Sequence, residues 1–491
     1  MRFSLNNLFG RDRDTSAIFL PITGSLESER RHLASLIATF KEQSAGIRSV
    51  VAVGCHEWLG TAETDPVDAT LTNERSETAL LRTVAGASLV RKLGAVAEHS
   101  ENKHSANRLD SLAVQARELF GPASGDDLLL LPADLLDEMM APVGADFSFR
   151  AIAALLPKAP EKRDDGNGWR LRRALFDRGL ICIGCVPIAG TKALCFLASD
   201  AVRSFDHLDI EPRGNITMSG LTEYGLFGNQ LFRYACVKLY AFRHGLTPAF
   251  PQWEGRQLFG LGDKSCAGLS FPTLEYPAFA DNDREFWDAD DPPINIDLKG
   301  YFQELPECWR KHRPLLRHMF ELVPELRHSI EGWHDQVTEG GRRTLVAIHL
   351  RRGDYRKLQN ETTPWFRIVP EGWYVEWLRT IWPTLRDPIL FIGTDDPHAI
   401  RPLFEKFETV SATGGSFAQA LPHYIRDFEI LRRADYLAIC NSSFSRMAAI
   451  LAPSTQKCFL PSFESQCFEP YDPWMDPDFW PRFADSWLHK E

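Results

Sequence analysis

The chain has 491 residues, too many for a single hydrophobic core, and its length suggests about three domains. A hydrophobic content of 44% is that of an ordinary globular protein, and a formal charge of −11 leaves no basic excess to neutralise phosphates, which argues against nucleic acid as the main partner and leaves room only for a local basic cleft. No stretch reaches the roughly 18 uninterrupted apolar residues of a membrane helix, and residues 1–11 lack the apolar core of a signal peptide. The expectation is therefore a cytoplasmic protein without a transmembrane segment, with peripheral membrane contact left open. Cys182, Cys185, Cys195 and Cys440 lie in apolar strand-like runs, as reduced buried cysteines do. Cys182 and Cys185 have C-x-x-C spacing, but no second ligand pair stands nearby, which argues against zinc or redox chemistry.

Residues 1–210 read as an α/β domain. A strand at 16–21 is followed by a helix over 25–43, with Leu33, Leu36, Ile37 and Phe40 at helical spacing, and by a second strand at 47–53. A helix at 109–120 and a buried strand at 127–132 follow, the strand ending at Ala133-Asp134. A charged Pro/Gly-containing loop covers 158–167. Such β-α-β alternation implies an α/β fold.

The second segment, 211–343, opens with a short strand at 215–218 and then Gly225-Leu-Phe-Gly-Asn-Gln-Leu-Phe-Arg-Tyr-Ala235, which starts a helix. Leu231, Tyr234, Ala235 and Leu239 give that helix a core face, and Gly245 is placed to cap its end. Gly225 and Gly228 permit a tight turn and close backbone approach. Asn229 and Gln230 offer amide groups at the helix start that suit sugar hydroxyls or phosphate; simple capping by Asn229 is the competing reading.

The third segment, 344–491, begins with the most informative stretch, Leu345-Val-Ala-Ile-His-Leu-Arg-Arg-Gly-Asp-Tyr355. Its apolar, β-branched start predicts a strand covered on both faces, and ligands of parallel sheets sit beyond such strand ends. Arg351 and Arg352 fall there, and paired guanidiniums suit a diphosphate. Farther on, 388–394 is a strand delivering Asp395 and Asp396. Asp396 reads as a helix cap before Pro397, and Asp395 as a ligand contact. Asp427 opens a run of helix, strand (436–440) and polar turn in which Asn441, Ser442, Ser443 and Ser445 cluster at a helix start, a ready anion site. The aromatic, acidic tail at 468–487 is expected to wrap back over a neighbouring domain.

These motifs, in this order, resemble the α-1,2-fucosyltransferases of glycosyltransferase family 11. The shared elements are Phe227–Ala235, Gly300-Tyr-Phe-Gln303, His349–Tyr355, Val369-Pro370 with Tyr374, and Asp427–Ser445, all within roughly 215–460. The resemblance implies a GT-B-like pair of Rossmann-type domains, preceded here by the additional α/β domain. Residues 211–343 would form the acceptor side, with Gly228, Asn229 and Gln230 in its cleft wall, and 344–491 the donor side. It further implies inverting transfer of fucose from GDP-fucose to a glycan hydroxyl in α-1,2 linkage, with no cofactor and no metal. Arg351 and Arg352 would clamp the diphosphate, and His349 and Asp427 would meet the guanine. Ser442, Ser443 and Ser445 would line phosphate and fucose, and Asn441 and Asp395 stay donor-site candidates from their strand-end positions. Arg351 would offset charge on the departing GDP. The base is sought among Asp354, Glu361 and Glu371, with Asp354 the first candidate unless it orients Arg352.

Two departures bear on sugar choice and linkage: Arg233 replaces a glutamine, and Arg446-Met-Ala-Ala449 replaces Trp-Trp-Gly-Ala. The alternatives are an α-1,6-type or other GDP-sugar transferase and an inactive glycan-binding protein on the same scaffold. The N-terminal segment is similar to a GT-A transferase of the family 2 type through its 128–134 strand and 193–206. That pattern's Asp-x-Asp reads Pro132-Ala-Asp134 here, and one carboxylate is poor ligation for a divalent ion, so the domain is expected to be accessory or degenerate.

Overall fold

The computed structural model describes residues 167–188, 191–200, 202, 212–276, 283–289, 291–303, 305–359, 364–412, 421–475 and 479, together with the backbone of five earlier strands. The strand expected at 16–21, the helices at 25–43 and 109–120, the Ala133-Asp134 strand end and most of the 158–167 loop lie outside the described residues. The chain divides into two compact units, residues 1–214 with 241–247, and residues 215–240 with 248–491.

The first unit holds a seven-stranded sheet. Its strands are β1 (Ser49–Ala52), β2 (Leu80–Val84), β3 (Ala87–Arg91), β4 (Asp127–Pro132), β5 (Ala151–Leu155), β6 (Leu180–Ile188) and β7 (Thr191–Ala198), ordered β3-β2-β1-β4-β5-β7-β6. β1, β4 and β5 run parallel, while the hairpins β2–β3 and β6–β7 are antiparallel. Helix α1 (Asn167–Phe176) buries Leu171, Leu175 and Phe176. Cys182 and Cys195 are buried on β6 and β7, and no described cysteine is disulfide-bonded.

The second unit is α/β and contains two sheets. The first is built from β8 (Asn215–Thr217), β9 (Thr247–Phe250), β10 (Lys264–Ser265), β11 (Thr273–Glu275) and β12 (Ile296–Lys299), in the order β10-β9-β8-β12-β11. β10 runs parallel to β9, β12 to β8, and β11 to β12. The second sheet comprises β13 (Thr344–Leu350), β14 (Pro388–Thr394), β15 (Thr409–Val410), β16 (Tyr436–Ala438), β17 (Lys457–Ser462) and β18 (Cys467–Tyr471), in the order β15-β14-β13-β16-β17-β18. All its pairings are parallel except the β17–β18 hairpin at one edge. From Leu345 to Leu350 every residue of β13 is buried, as its apolar run requires of a central strand covered on both faces. Val346, Ile348 and Leu350 pack with Leu390, Tyr374 and Leu378 in one core. Among the described residues, no helix is long and apolar enough to cross a membrane.

Helix α2 (Phe227–His244) follows β8. Leu231, Tyr234, Ala235 and Leu239, the face that the 3.6-residue periodicity marks, are all buried, but so is every other residue from 231 to 241, so the helix is enclosed on all sides there. Gly245, at φ +65°, ends the helix in the left-handed conformation. Inside that face Lys238 Nζ and the Tyr234 hydroxyl both donate to Asp263, a polar cluster shielded from water. In the C-terminal tail, β18 closes the sheet edge and Trp474 Nε1 donates to Ile450 O at 3.0 Å.

Removing the carboxylate takes from the buried Lys238 ammonium and the Tyr234 hydroxyl the acceptor that they share. Asp263→Ala is expected to lower unfolding free energy by about 3–5 kcal/mol in guanidinium titration. A loss below about 1 kcal/mol, the worth of an exposed pair, would contradict this account.

Candidate functional site

Open parallel sheets bind ligands beyond strand carboxyl ends, where the strand order reverses direction. In the second sheet that point lies between β13 and β16, and in the first between β8 and β12. The segments leaving these four strands line one cavity of about 830 Å³, a size suited to a nucleotide-sized ligand. Gly225–Gln230 follow β8, Tyr301 and Gln303 follow β12, His349 and Arg351 come from the end of β13, and Ser442–Phe444 follow β16.

Two helix starts meet at this cavity. A Cβ on Gly228 would stand 2.5 Å from Phe444 N and 2.7 Å from both Phe444 Cα and Ser443 C. Only glycine lets α2 come so close to helix α6 (Ser443–Leu451). Ser442 caps α6, its hydroxyl accepting from Phe444 N. The free N–H groups and dipole ends of both helices therefore gather on the cavity wall.

The two adjacent arginines separate. Arg351 faces the cavity, held by Asp354 at 2.9 Å and Asp395 at 3.0 Å. Arg352, expected to share a diphosphate with it, is 1% exposed and does not line the cavity. Its Nε donates to Glu371 at 2.8 Å, Nη2 to Val369 O at 2.7 Å and Nη1 to Arg351 O at 3.0 Å. The Tyr374 hydroxyl, on helix α4 (Glu371–Ile381, after α3 at Pro324–Thr338), donates to His349 O at 2.8 Å. The Val-Pro and Tyr element thus braces the arginine-bearing strand from behind.

The other expected residues divide in the same way. His349, Asp354, Asp395, Asp427, Ser442 and Ser443 line the cavity, as do Gly228, Asn229 and Gln230. Asn441 and Ser445 are buried behind it. Asn441 Nδ2 donates to Trp365 O (2.7 Å) and Arg367 O (2.8 Å), while its own carbonyl accepts from the Tyr355 hydroxyl (2.7 Å). Asp395 accepts from Arg352 N (2.7 Å) and Gly353 N (3.0 Å), which fixes the loop carrying Arg351. Asp396 caps the 397–400 helix through Ala399 N and pairs with Arg356. Of the base candidates, Asp354 is paired with Arg351 and not with Arg352, Glu371 is held by Arg352 away from the cavity, and Glu361 lies outside the described residues.

Burial and the positive charges of Arg351 and Arg352 push the His349 pKa down to about 3, so its imidazole is neutral at pH 7. Its Nδ1 lies 3.2 Å from Cys440 Sγ, whose thiol burial raises to about 11. That couple is uncharged and is no thiolate nucleophile. Asp427, on helix α5 (His423–Arg433), is pushed up to about 7 by burial, against the pull of Arg426 and Arg401. No hydrogen bond or ion pair holds this carboxyl among the described residues. Perturbation of this kind in a cleft marks functional groups.

The two residues at which the motifs depart from the pattern they resemble are also placed. Arg233 is buried, its guanidinium 3.8 Å from the Tyr224 ring and 5.1 Å from that of Tyr301, donating to Leu221 O and Tyr224 O. Arg446 is buried and donates to Gln303 O at 2.7 Å. Both stabilise the turn at 300–303, in which Phe302 is held at φ +51° and Gln303 reaches Asn229. Glu254 and Tyr424 also line the cavity and went unnoticed in the sequence. The signal for Glu254 was its position just past strand β9 of a parallel sheet.

Neither a protein-family model nor a curated protein matches this chain. Among solved structures, it is similar to the NodZ alpha-1,6-fucosyltransferase soaked with GDP-fucose, at 16% identity and a TM-score of 0.36 over 53% of this chain and 99% of that one. The fucosyltransferase NodZ from Bradyrhizobium gives 15% and 0.34 over 53% and 99%. A mutant FUT1 of Arabidopsis thaliana in complex with GDP gives 12% and 0.36 over 52% and 74%.

Two outcomes follow from the geometry. Gly228→Ala forces a Cβ into backbone and is expected to cost about 1–3 kcal/mol in denaturant titration; an unchanged midpoint would show that the helix starts are free to separate. Because the folded state raises the Asp427 pKa, ionised Asp427 costs stability above pH 7, and that cost disappears as pH falls towards the unfolded value of 3.8. Asp427→Asn should therefore stabilise the protein at pH 8 by on the order of 1–3 kcal/mol and leave it unchanged at pH 4, as read from melts at both pH values.

Proposed function

We propose that this protein is a glycosyltransferase that moves fucose from GDP-fucose to a glycan hydroxyl with inversion, in α-1,2 linkage. The observation that carries the nucleotide assignment is the presence, in one cavity, of a cation at a strand end and an unpaired carboxyl on α5. Arg351, the capped start of α6 and its hydroxyls suit a diphosphate. Asp427 suits guanine, whose N1–H and exocyclic amine present two adjacent donors to a carboxylate. Uracil offers one N–H between two carbonyls, which would repel Asp427.

Arg351 stabilises the charge that develops on the departing diphosphate, a role that requires no metal ion. His349, neutral and against Phe444, joins Asp427 in shaping the nucleobase end. Ser442 and Ser443 face the phosphates and the sugar. The fucose and α-1,2 assignments rest on the family 11 resemblance of 215–460. The turn at 300–303 belongs to the acceptor half and is braced by Arg233 and Arg446, the two residues that depart from that family, so an α-1,6 linkage is the second reading and linkage analysis of the product decides between them.

Calorimetry with GDP-fucose, GDP-mannose, GDP and UDP-sugars tests the donor. Guanine nucleotides are expected to bind and UDP-sugars to fail, with Arg351→Ala weakening GDP by roughly 10–100-fold, the loss of a charge-assisted contact. Since Asp427 must be ionised to accept both guanine donors, affinity should decline below pH 7, by up to about tenfold per unit, and Asp427→Asn should flatten that slope. Absence of guanine-nucleotide binding would overturn the proposal.

A further inference from the structure

We infer that Glu254 is the general base that accepts the acceptor's proton, an inference that rests on the reading of this cavity as a GDP-fucose site. In an inverting displacement the incoming oxygen approaches the anomeric carbon from the face opposite the leaving oxygen, so the base must stand across from the diphosphate. The diphosphate-binding groups, Arg351 and the start of α6, belong to the second sheet's half. The base is therefore sought among the lining residues that follow the first sheet's strands. There the described lining residues are Gly225–Gln230, Glu254, Tyr301 and Gln303, and Glu254 is the only carboxylate among them.

Its surroundings suit the task. Glu254 stands just past β9 and is half-buried. One carboxylate oxygen accepts from the Tyr424 hydroxyl, which reaches it from α5. No cation pairs with it among the described residues, so a neutral donor fixes its direction and leaves the other oxygen with a free lone pair. The remaining cavity carboxylates are differently engaged. Asp354 is paired with Arg351, Asp395 accepts two backbone N–H bonds and pairs with Arg351 as well, and Asp427 is placed at the nucleobase.

In the step this implies, the acceptor O–H proton passes to Glu254 while the acceptor oxygen bonds the anomeric carbon. The bond from that carbon to the β-phosphate oxygen breaks, and its electron pair stays on GDP beside Arg351. Nothing beyond donor and acceptor is consumed.

The test uses the full chain, GDP-fucose and water as acceptor, reading release of both GDP and fucose beside donor affinity by calorimetry. Glu254→Gln keeps an oxygen for the Tyr424 hydroxyl but cannot take a proton. It is expected to hold the wild-type Kd within about twofold while turnover falls about 10²–10⁴-fold. In Glu254→Ala, sodium azide should restore turnover as fucosyl azide, since that nucleophile brings no proton to remove. Turnover of Glu254→Gln close to wild type, or a loss that tracks weakened donor binding and resists azide, would overturn the base assignment and leave the donor reading standing. A wild-type protein that fails to bind GDP-fucose, or binds it without any turnover, would overturn both.

Discussion

The site depends on one contact in which no side chain takes part. Gly228 brings the start of α2 against the backbone of Ser443 and Phe444 at the start of α6, at a distance where a single methyl group would collide with main chain. Each helix start carries free N–H groups and the positive end of a dipole. Two such ends on one wall oppose each other in the empty protein and favour an anion once it is bound. Ligand binding should then reinforce the same contact that shapes the cavity, as expected for any ligand held only by the native arrangement.

Around that contact the motif residues fall into two sets with different work. One set faces the cavity: His349, Arg351, Asp427 and Ser443. The other never reaches it, and keeps the first set in place. Arg352 ties the β13 end to Val369 and Glu371, Tyr374 holds the His349 carbonyl, and Asn441, whose backbone carbonyl accepts from the hydroxyl of the cavity-lining Tyr355, links the arginine loop to the turn after β16. Buried arginine and asparagine side chains are costly without partners, so each of these is hydrogen-bonded to backbone or carboxylate. A motif that exceeds the number of ligand contacts is what a precisely oriented Arg351 requires, because a guanidinium on a loose loop would lose most of its value.

Much of this was legible in the sequence. The buried run 345–350, the helical face of Leu231, Tyr234 and Leu239, the Asp396 cap and the gathering of three distant motifs on one cavity all follow from periodicity and strand-end placement. The pairing of Arg351 with Arg352 misleads because composition treats neighbours alike, whereas extended backbone sends alternate side chains to opposite sides. His349 and Arg351, two apart, share the cavity; Arg352 turns inward. Glu254 lacked a motif, and its significance rests on Tyr424, 170 residues away, which no local pattern connects to it.

The two buried arginines beneath the 300–303 turn show what that turn costs. Arg233 and Arg446 meet backbone carbonyls and aromatic rings, with no carboxylate among their described partners. A guanidinium tolerates such surroundings better than an ammonium, since its charge is delocalised and its faces stack on rings. Even so, both carry buried N–H groups without partners, and they support a turn whose Phe302 sits in the left-handed region. Strain and unsatisfied donors gathered under Tyr301 and Gln303 are poor choices for stability alone. They make sense where the position of those two side chains, which line the cavity, matters more than the stability given up.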